Sequence, residues 1–438
     1  MHTFRKGFLL CLAVLFLASS LALAGEEYPI MRVDLKTLKQ WIAQHESLPV
    51  FTPAGLKPQE YTSSLSLLSH LDYVPEERDQ GHCGNCWVWA GTAITAIALD
   101  IQEGIHERLS TQFFNSCYYE ATGKNACCGG YSNAFKDFYL SKGFTVPWEN
   151  QNASWQDGST QCETSPAVSC GAIGTNPSYG IESFTIETVQ VHGVGKETAI
   201  ANIKAALNEG KAVWFAFYLP TESDWQQFYN FWGQNPESAV WSPDYSSGHS
   251  WVEGEGGGHA VVIVGYDDST RTWLVLNSWG TAYGYRPHGV FRMSYDINYD
   301  CYFYDPRDGY NYYSLYFEVF DIAFSTNPGS KEIATFTIYF DWDRDMEFFN
   351  SCLHVYDNQT FTTDDGFHGY WELWQRAAYL NFTDGCAPVY TFSMSTLRGF
   401  MKCTDGQQGP EDLPGYAGLV PGCEGGYSVE GVSSASPR

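Results

Sequence analysis

Basic residues are scarce in this chain: Lys and Arg number 24 against 50 Asp and Glu, giving a formal net charge of -26. Phosphate binding needs clustered Lys and Arg, so nucleic-acid partners are excluded. Long apolar runs are missing beyond the extreme N-terminus; no later stretch approaches about 18 apolar residues, and no membrane span is expected in the mature form. The pair Cys83-x-x-Cys86 lacks the βαβ context of a redox motif and the second knuckle of a zinc ribbon. Asp341, Asp343 and Asp345 suggest a calcium loop, but Met346 stands where an EF-hand needs Gly and Cys352 where it needs Glu. A solvated acidic turn is expected there, and no metal or cofactor anywhere.

What is present begins with a secretory signal. Arg5 and Lys6 precede an apolar run from Phe8 to Leu23, and Ala22-Leu23-Ala24 is a small-residue cleavage site, so residues 1–24 read as a signal peptide cut after Ala24. An exported destination follows: secreted, or a lysosome-like or periplasmic compartment. There thiols usually pair, and of the 13 Cys one, Cys11, lies within the signal. With Cys86 set aside as reactive, an odd number remains, so one further Cys should be free.

The chain is organised around Asp79-Gln80-Gly81-His82-Cys83-Gly84-Asn85-Cys86-Trp87. This loop leads into Trp87–Ile101, which is apolar at helical spacing and free of Pro. A helix starting near Cys86 places the thiol against unpaired backbone N–H groups and the positive end of the dipole, both favouring a thiolate. Upstream, Val33, Leu35, Leu38, Trp41 and Ile42 form a short amphipathic helix, followed by a linker containing Pro49, Pro53 and Pro58. Downstream, Asn133–Lys142 reads as a helix stopped by Gly143, and residues 147–180 as a loop needing staples. β structure then takes over: Ile181–Val191 and Val213–Leu219, an aromatic and Gly-rich excursion over 220–258, and strands at Ala260–Tyr266, Thr272–Asn277 and Gly289–Met293. His249, inside the excursion, is expected at the surface. From about 325, a linker leads to a β-rich module with Cys352, Cys386, Cys403 and Cys423, in which Trp371 and Trp374 are expected to pack rather than bind.

The stretch Gln80–Trp87 resembles the nucleophile segment of papain-like cysteine peptidases. Ser110-Thr111-Gln112 before Cys117, Gly258-His259-Ala260 running to Tyr266, and Asn277-Ser278-Trp279-Gly280 follow in that family's order. The resemblance covers residues 70 to about 300. It implies an α+β, papain-like two-lobed fold, with a helical left lobe, a β-barrel-like right lobe and the active-site cleft between them. The implied division is a propeptide over residues 25–65, a peptidase domain over 66–324 and the β-rich module over 325–438. Two departures stand out. Asn85 occupies a position where Ser or Ala is usual, and His259 and Asn277 lie farther from Cys86 than the usual roughly 130 to 150 residues.

By the same resemblance Cys86 is the nucleophile and His259 its proton acceptor. An imidazolium beside such a thiol lowers its pKa from about 8.5 to roughly 3 to 4. Asn277 orients the ring, Trp279 shields that contact, and Gln80 with the Cys86 N–H forms the oxyanion hole, each donor being worth about 10²- to 10³-fold in rate. Gly129 and Gly130 would bind the substrate backbone as an added strand, and Tyr131 and Ala260 would line the pocket for the second residue before the cut. The implied disulfides are Cys83–Cys127 and Cys117 to a later Cys, most plausibly Cys162, leaving Cys128 with Cys170. Residues 107–180 contain no His, so the His-containing occluding loop of cathepsin B-like members is missing there and endopeptidase action on polypeptides, by a monomer, is expected. A catalytically quiet binding protein of this fold and a thiol acyltransferase are the rival readings.

Overall fold

The computed structural model describes residues 28–53, 61–325, 332–341, 349–356, 360–364, 367–374, 377–382, 388–393, 397–403 and 415–423. The signal region and the Gly-rich terminus from Gly425 lie outside them, as do Asp343, Asp345 and Cys386. The first element is the expected amphipathic helix, α1 (Leu35–Glu46), capped by Asp34, whose carboxylate accepts from the Thr37 N–H, and burying Leu35, Leu38 and Ile42.

A short strand, β1 (Ser64–Ser66), precedes the nucleophile helix α2 (Cys86–Glu103), which ends at Gly104 with φ 67°. Trp87, Val88, Ala90, Ala93, Ile94 and Ile97 are all buried, as befits a helix apolar on every side. It lies against α3 (Thr111–Thr122), capped by Ser110, and α4 (Ser132–Lys142), which ends at Gly143 as expected.

Three disulfides staple this helical half, and one matches expectation: Cys83–Cys127. The others correct it: Cys117 joins Cys170 and Cys128 joins Cys162. The local backbone explains the exchange. Cys170 opens a 3₁₀ turn packed on α3, where its N–H donates to Glu120 Oε1 at 2.7 Å. Cys162 is drawn toward Cys128 because the Asn125 amide takes the neighbouring Gln161 carbonyl at 3.1 Å. Among the described residues the free thiols are Cys86 and Cys301, so a second free thiol does accompany Cys86.

The β half adds β2 (Phe144–Thr145), β3 (Tyr179–Thr188), α5 (Lys196–Asn208), β4 (Val213–Leu219), α6 (Glu222–Gln234), β5 (Val240–Trp241) and β6 (Gly257–Asp267). It continues with β7 (Thr272–Leu276), β8 (Val290–Ser294), the hairpin β9 (Tyr302–Asp305) and β10 (Tyr310–Tyr313), and β11 (Leu315–Ser325). The main sheet has nine strands in the order β2-β3-β11-β4-β6-β7-β8-β5, with β1 also on β6. Strands β4 and β6 are buried almost throughout and pair antiparallel at its centre, which is why they read as continuous apolar runs.

The C-terminal module is a closed barrel of eight strands: β12 (Glu332–Asp341), β13 (Phe349–Tyr356), β14 (Thr360–Thr363), β15 (His368–Trp374), β16 (Ala377–Phe382), β17 (Pro388–Ser393), β18 (Arg398–Cys403) and β19 (Gly415–Pro421). Each strand pairs with the next, and β19 returns to β12. A barrel of this number is just wide enough for side chains to fill, and Ile338, Leu353, Phe361, Leu380, Phe382 and Leu419 do so. Cys352–Cys423 ties it together. Trp371 packs against this core and donates its indole N–H to the Tyr356 carbonyl at 2.8 Å, as a structural Trp should. Among the described residues no helix is long and apolar enough to cross a membrane.

Candidate active site

Cys86 is the first residue of α2, fully buried, and its Sγ accepts from the Ala260 N–H at 3.4 Å. Ala260 directly follows His259 on β6, so this contact joins the two halves of the molecule at the thiol. Burial pushes the thiol up to about 12, against a lowering by the N–H groups of Ala260, Trp87 and Cys86 itself. Asn85, the departure from the family pattern, is buried and donates to Asn115 Oδ1 at 3.0 Å; Asn115 in turn donates to Asp157 Oδ2 at 3.1 Å. The larger side chain thus finds a buried partner for its amide nitrogen, while its Oδ1 is buried with no hydrogen-bond partner among the described residues.

The imidazole of His259 is also fully buried, its Nε2 2.7 Å from Asn277 Oδ1. That oxygen accepts from the Ser278 N–H at 2.8 Å as well. Two donors on one oxygen fix the amide orientation, so Nε2 carries the ring hydrogen and Nδ1 keeps its lone pair. Nδ1 has no hydrogen-bond partner among the described residues. Burial drives the imidazole down to about 3, with the Asn277 bond opposing. Trp279 is buried and stacks on the ring with centroids 4.2 Å apart.

Gln80 is buried, and its Oε1 accepts from the Ser278 hydroxyl at 2.7 Å. Its Nε2 donates to the Cys83 carbonyl at 2.8 Å and to the Pro29 carbonyl at 3.3 Å. The second acceptor is unexpected, for Pro29 belongs to the N-terminal segment. That segment threads the cleft. Tyr28 stacks on Trp279 with centroids 5.0 Å apart, and Met31 exchanges two backbone hydrogen bonds with Gly258, of 2.8 and 3.0 Å. Met31 is fully buried and Trp41 of α1 lies beside Tyr131.

The glycine pair divides. Gly129, with φ +91°, faces Met31: an added Cβ would lie 3.1 Å from the Met31 side chain. A Cβ on Gly130 would fall 2.4 Å from the Trp87 ring, so that glycine is required by packing onto the nucleophile helix. Tyr131 is buried; its hydroxyl donates to Glu318 Oε1 at 2.6 Å, and burial first, then the Glu318 charge, holds it well above the ordinary tyrosine range. His45 of α1 reaches the same oxygen through Nδ1 at 2.7 Å. A crevice of about 850 Å³ lies between α1 and the left lobe and is lined by Trp41, Gly129, Gly130 and Tyr131. Ala260 is buried beside the thiol.

The sequence reading missed three contributors. Glu318 looks like any strand residue but is fully buried beneath Tyr131. Arg78, also buried, donates from Nε to the Asn277 carbonyl at 2.8 Å and from Nη2 to the Trp89 carbonyl at 3.1 Å, tying the amide's backbone to α2. The third is α6, inside the excursion. Its Phe228 and Trp232 pack on Trp279 at 5.5 and 6.0 Å, so the insertion builds an apolar wall behind the imidazole. Its start was legible: Thr221 caps the Asp224 N–H and donates to the Asp224 carboxylate at 2.7 Å, a Thr-x-x-Asp signature. His249, half exposed as expected, pairs with that same carboxylate at 3.0 Å.

A sequence model described as the papain family of cysteine proteases matches residues 67–229 and 236–306, just over half of the chain. Cathepsin B-like CP2 of Giardia intestinalis is 28% identical over 234 residues, covering 52% of this chain and 66% of its own length. A cathepsin B-like cysteine proteinase of Schistosoma japonicum is 26% identical over 278 residues, covering 59% of this chain and 73% of its own. The solved structure of proCathepsin B S9 from Trypanosoma congolense aligns with a TM-score of 0.43 at 19% identity, over 69% of this chain and 89% of that one. The family match ends at residue 306, before the barrel begins.

Proposed function

Because the chain belongs to the papain family of cysteine proteases, we propose that it is a secreted cysteine endopeptidase, made with a signal peptide over 1–24 and an inhibitory propeptide over 25–65. The observation that carries this reading is a peptide carbonyl of the chain itself, that of Pro29, resting on the Gln80 amide at the entrance to the thiol. In catalysis His259 Nδ1 takes the proton of Cys86, and the thiolate attacks the substrate carbonyl. The oxyanion is held by the Cys86 N–H and Gln80 Nε2. The imidazolium then protonates the leaving amine, and His259 activates the water that hydrolyses the acyl-enzyme. Asn277 keeps the ring hydrogen on Nε2 throughout, and Ser278 keeps the Gln80 amide turned toward the site.

The segment lies in the cleft the wrong way round for cleavage. It runs from Trp279 at Tyr28, past Gly129 at Met31, to Tyr131 at Trp41. A substrate would enter the Tyr131 side with its amino-terminal residues, whereas this segment enters it with its carboxyl-terminal ones. The closed form is therefore both blocked and chemically quiet, because thiol and imidazole are each held neutral by burial. The mature enzyme acts as a monomer on polypeptides.

The test is labelling of Cys86 by an epoxide-type thiol inhibitor together with peptide hydrolysis, both after release of the segment. Both should vanish in Cys86→Ala. Release of activity without labelling of Cys86 would remove the proposal. Added amine, if it diverted the product from acid to amide, would replace hydrolysis with acyl transfer.

A further inference from the structure

The segment in the cleft is held by its cations. Arg32 Nη2 meets Glu222 Oε2 at 2.8 Å while its Nη1 donates to the Glu255 carbonyl. Lys39 Nζ meets Asp305 Oδ2 at 2.5 Å, bonds Asp308 too, and sits 4.8 Å over the Tyr312 ring. The carboxylates come from three separate places: the start of α6, the loop before β6 that carries Glu253 and Glu255, and the β9–β10 hairpin. Arg307 is the cation among them, bridging Glu253 at 3.1 Å and Asp305 at 3.2 Å. Lys39 is the first cause holding the Asp308 carboxyl down at about 2.

Deeper in the same direction, His45 ends the row on Glu318, whose other oxygen, Oε2, is buried with no hydrogen-bond partner among the described residues. An unsatisfied buried carboxylate oxygen is costly unless a donor arrives. Once the segment departs, Arg32, Lys39 and His45 leave together. Glu222, Asp305 and Asp308 then lose their partners on the segment, next to Glu253 and Glu255, and Arg307 stays as their cation.

We propose that this acidic wall, built by the 220–258 excursion and the β9–β10 hairpin, is a binding surface for basic polypeptides, and that the released enzyme selects substrates carrying Lys or Arg on the amino-terminal side of the cut bond. The inference rests on the peptidase reading for its consequence but not for its geometry. The inhibitory segment uses the wall as a substrate would, presenting cations to it from a backbone of opposite direction. Side-chain charge can be matched either way round, whereas attack on the carbonyl cannot.

The full-length protein, its segment released by cleavage between residues 53 and 64, is given peptides identical except for Lys, Gln or Glu three and four residues before the cut. Two exposed ion pairs should favour Lys over Gln by about ten-fold in kcat/KM, with Glu poorer still. The preference should fall below about two-fold in Glu222→Gln/Glu255→Gln, in Asp305→Asn/Asp308→Asn, and at high salt. Equal cleavage of the Lys and Gln peptides, or a preference unchanged in the Glu222→Gln/Glu255→Gln variant, overturns the proposal. A fluorescent tetralysine peptide reads the wall without chemistry. Protein that binds it in a Glu222- and Glu255-dependent way but cuts nothing would keep this inference and sink the peptidase; protein that cuts peptides but does not bind it would do the reverse.

Discussion

In the intact chain Cys86 should behave as a thiol that hardly ionises, and releasing residues 28–53 should change that more than any point substitution. Burial raises its pKa from 9.0 to about 12, against the N–H groups that favour the thiolate. At pH 8 the thiolate fraction of such a group is roughly 10⁻⁴, against about 10⁻¹ for an ordinary thiol, so alkylation should be about a thousand-fold slow before steric exclusion is counted. The imidazole offers no relief, because burial keeps it neutral down to about pH 3. Removing the segment admits water to both groups and weakens the leading cause of each shift. The remaining N–H donors and the adjacent imidazole then favour the ion pair. The assay is iodoacetamide labelling of the Cys86 peptide, followed by mass spectrometry between pH 6 and 10, with Cys86→Ala as the blank. Cys301, likewise pushed up to about 12 by burial, provides an internal comparison. The intact protein should show labelling that climbs about tenfold per pH unit with no plateau. The released protein should label rapidly below pH 7. An intact chain whose Cys86 titrates near 9 at ordinary thiol rates would refute the reasoning.

Gln80→Ala, measured on released protein, should lower kcat by about 10²- to 10³-fold with little change in KM, since its amide acts on the oxyanion. Cys117→Ser should lower stability in denaturant titration by about 4 kcal/mol, because the Cys117–Cys170 bridge closes a loop with sequence separation 53; a non-reducing peptide map recovering Cys117 with Cys162 would contradict the pairing. Asn85→Ala should cost about 1 to 3 kcal/mol in thermal unfolding by leaving the buried Asn115 Oδ1 without its donor, whereas Asn85→Ser should cost less. His192, half-buried against Leu315 and Tyr313, is driven down to about 4 by desolvation. A folded pKa below the unfolded value of about 6.5 gives stability that is complete above pH 6.5 and lost on acidification toward pH 4. His192→Phe should flatten that part of the Tm–pH curve, and an unchanged slope would count against it.

Much of the site was legible because its chemistry is written in short local motifs. Cys86 opens a helix whose apolar run is unbroken, and His259 and Asn277 sit on or beside strands whose Val and Ile content marks them as buried. What escaped was set by long-range contacts. Nothing local tells Glu318 from Asp321 on the same strand, yet one is fully buried and the other exposed. The disulfides failed for the same reason: Cys162 and Cys170 are close in sequence, and the turns on Asn125 and Glu120 decide which half-cystine each meets. Helix α6 was hidden because its aromatic residues drew attention from its Thr221 cap, and they turned out to pack behind His259 through Phe217, Phe228 and Trp279. A propeptide was expected over residues 25–65, but which of its residues reach the site was not legible, since a Pro-Ile-Met stretch carries no signature of where it will lie.

The order of parts in that occupant sets where the molecule has to be opened. The extended stretch on Gln80 and Gly258 comes first along the polymer, helix α1 comes second, and both precede β1, which is sewn to β6. Loss of residues 1–24 alone therefore removes no residue of the stretch that lies on Trp279, Gln80 and Gly258. The severing scissor must fall downstream of Phe51, whose N–H is anchored to Thr188, and one snip there lets strand and helix leave as a single piece.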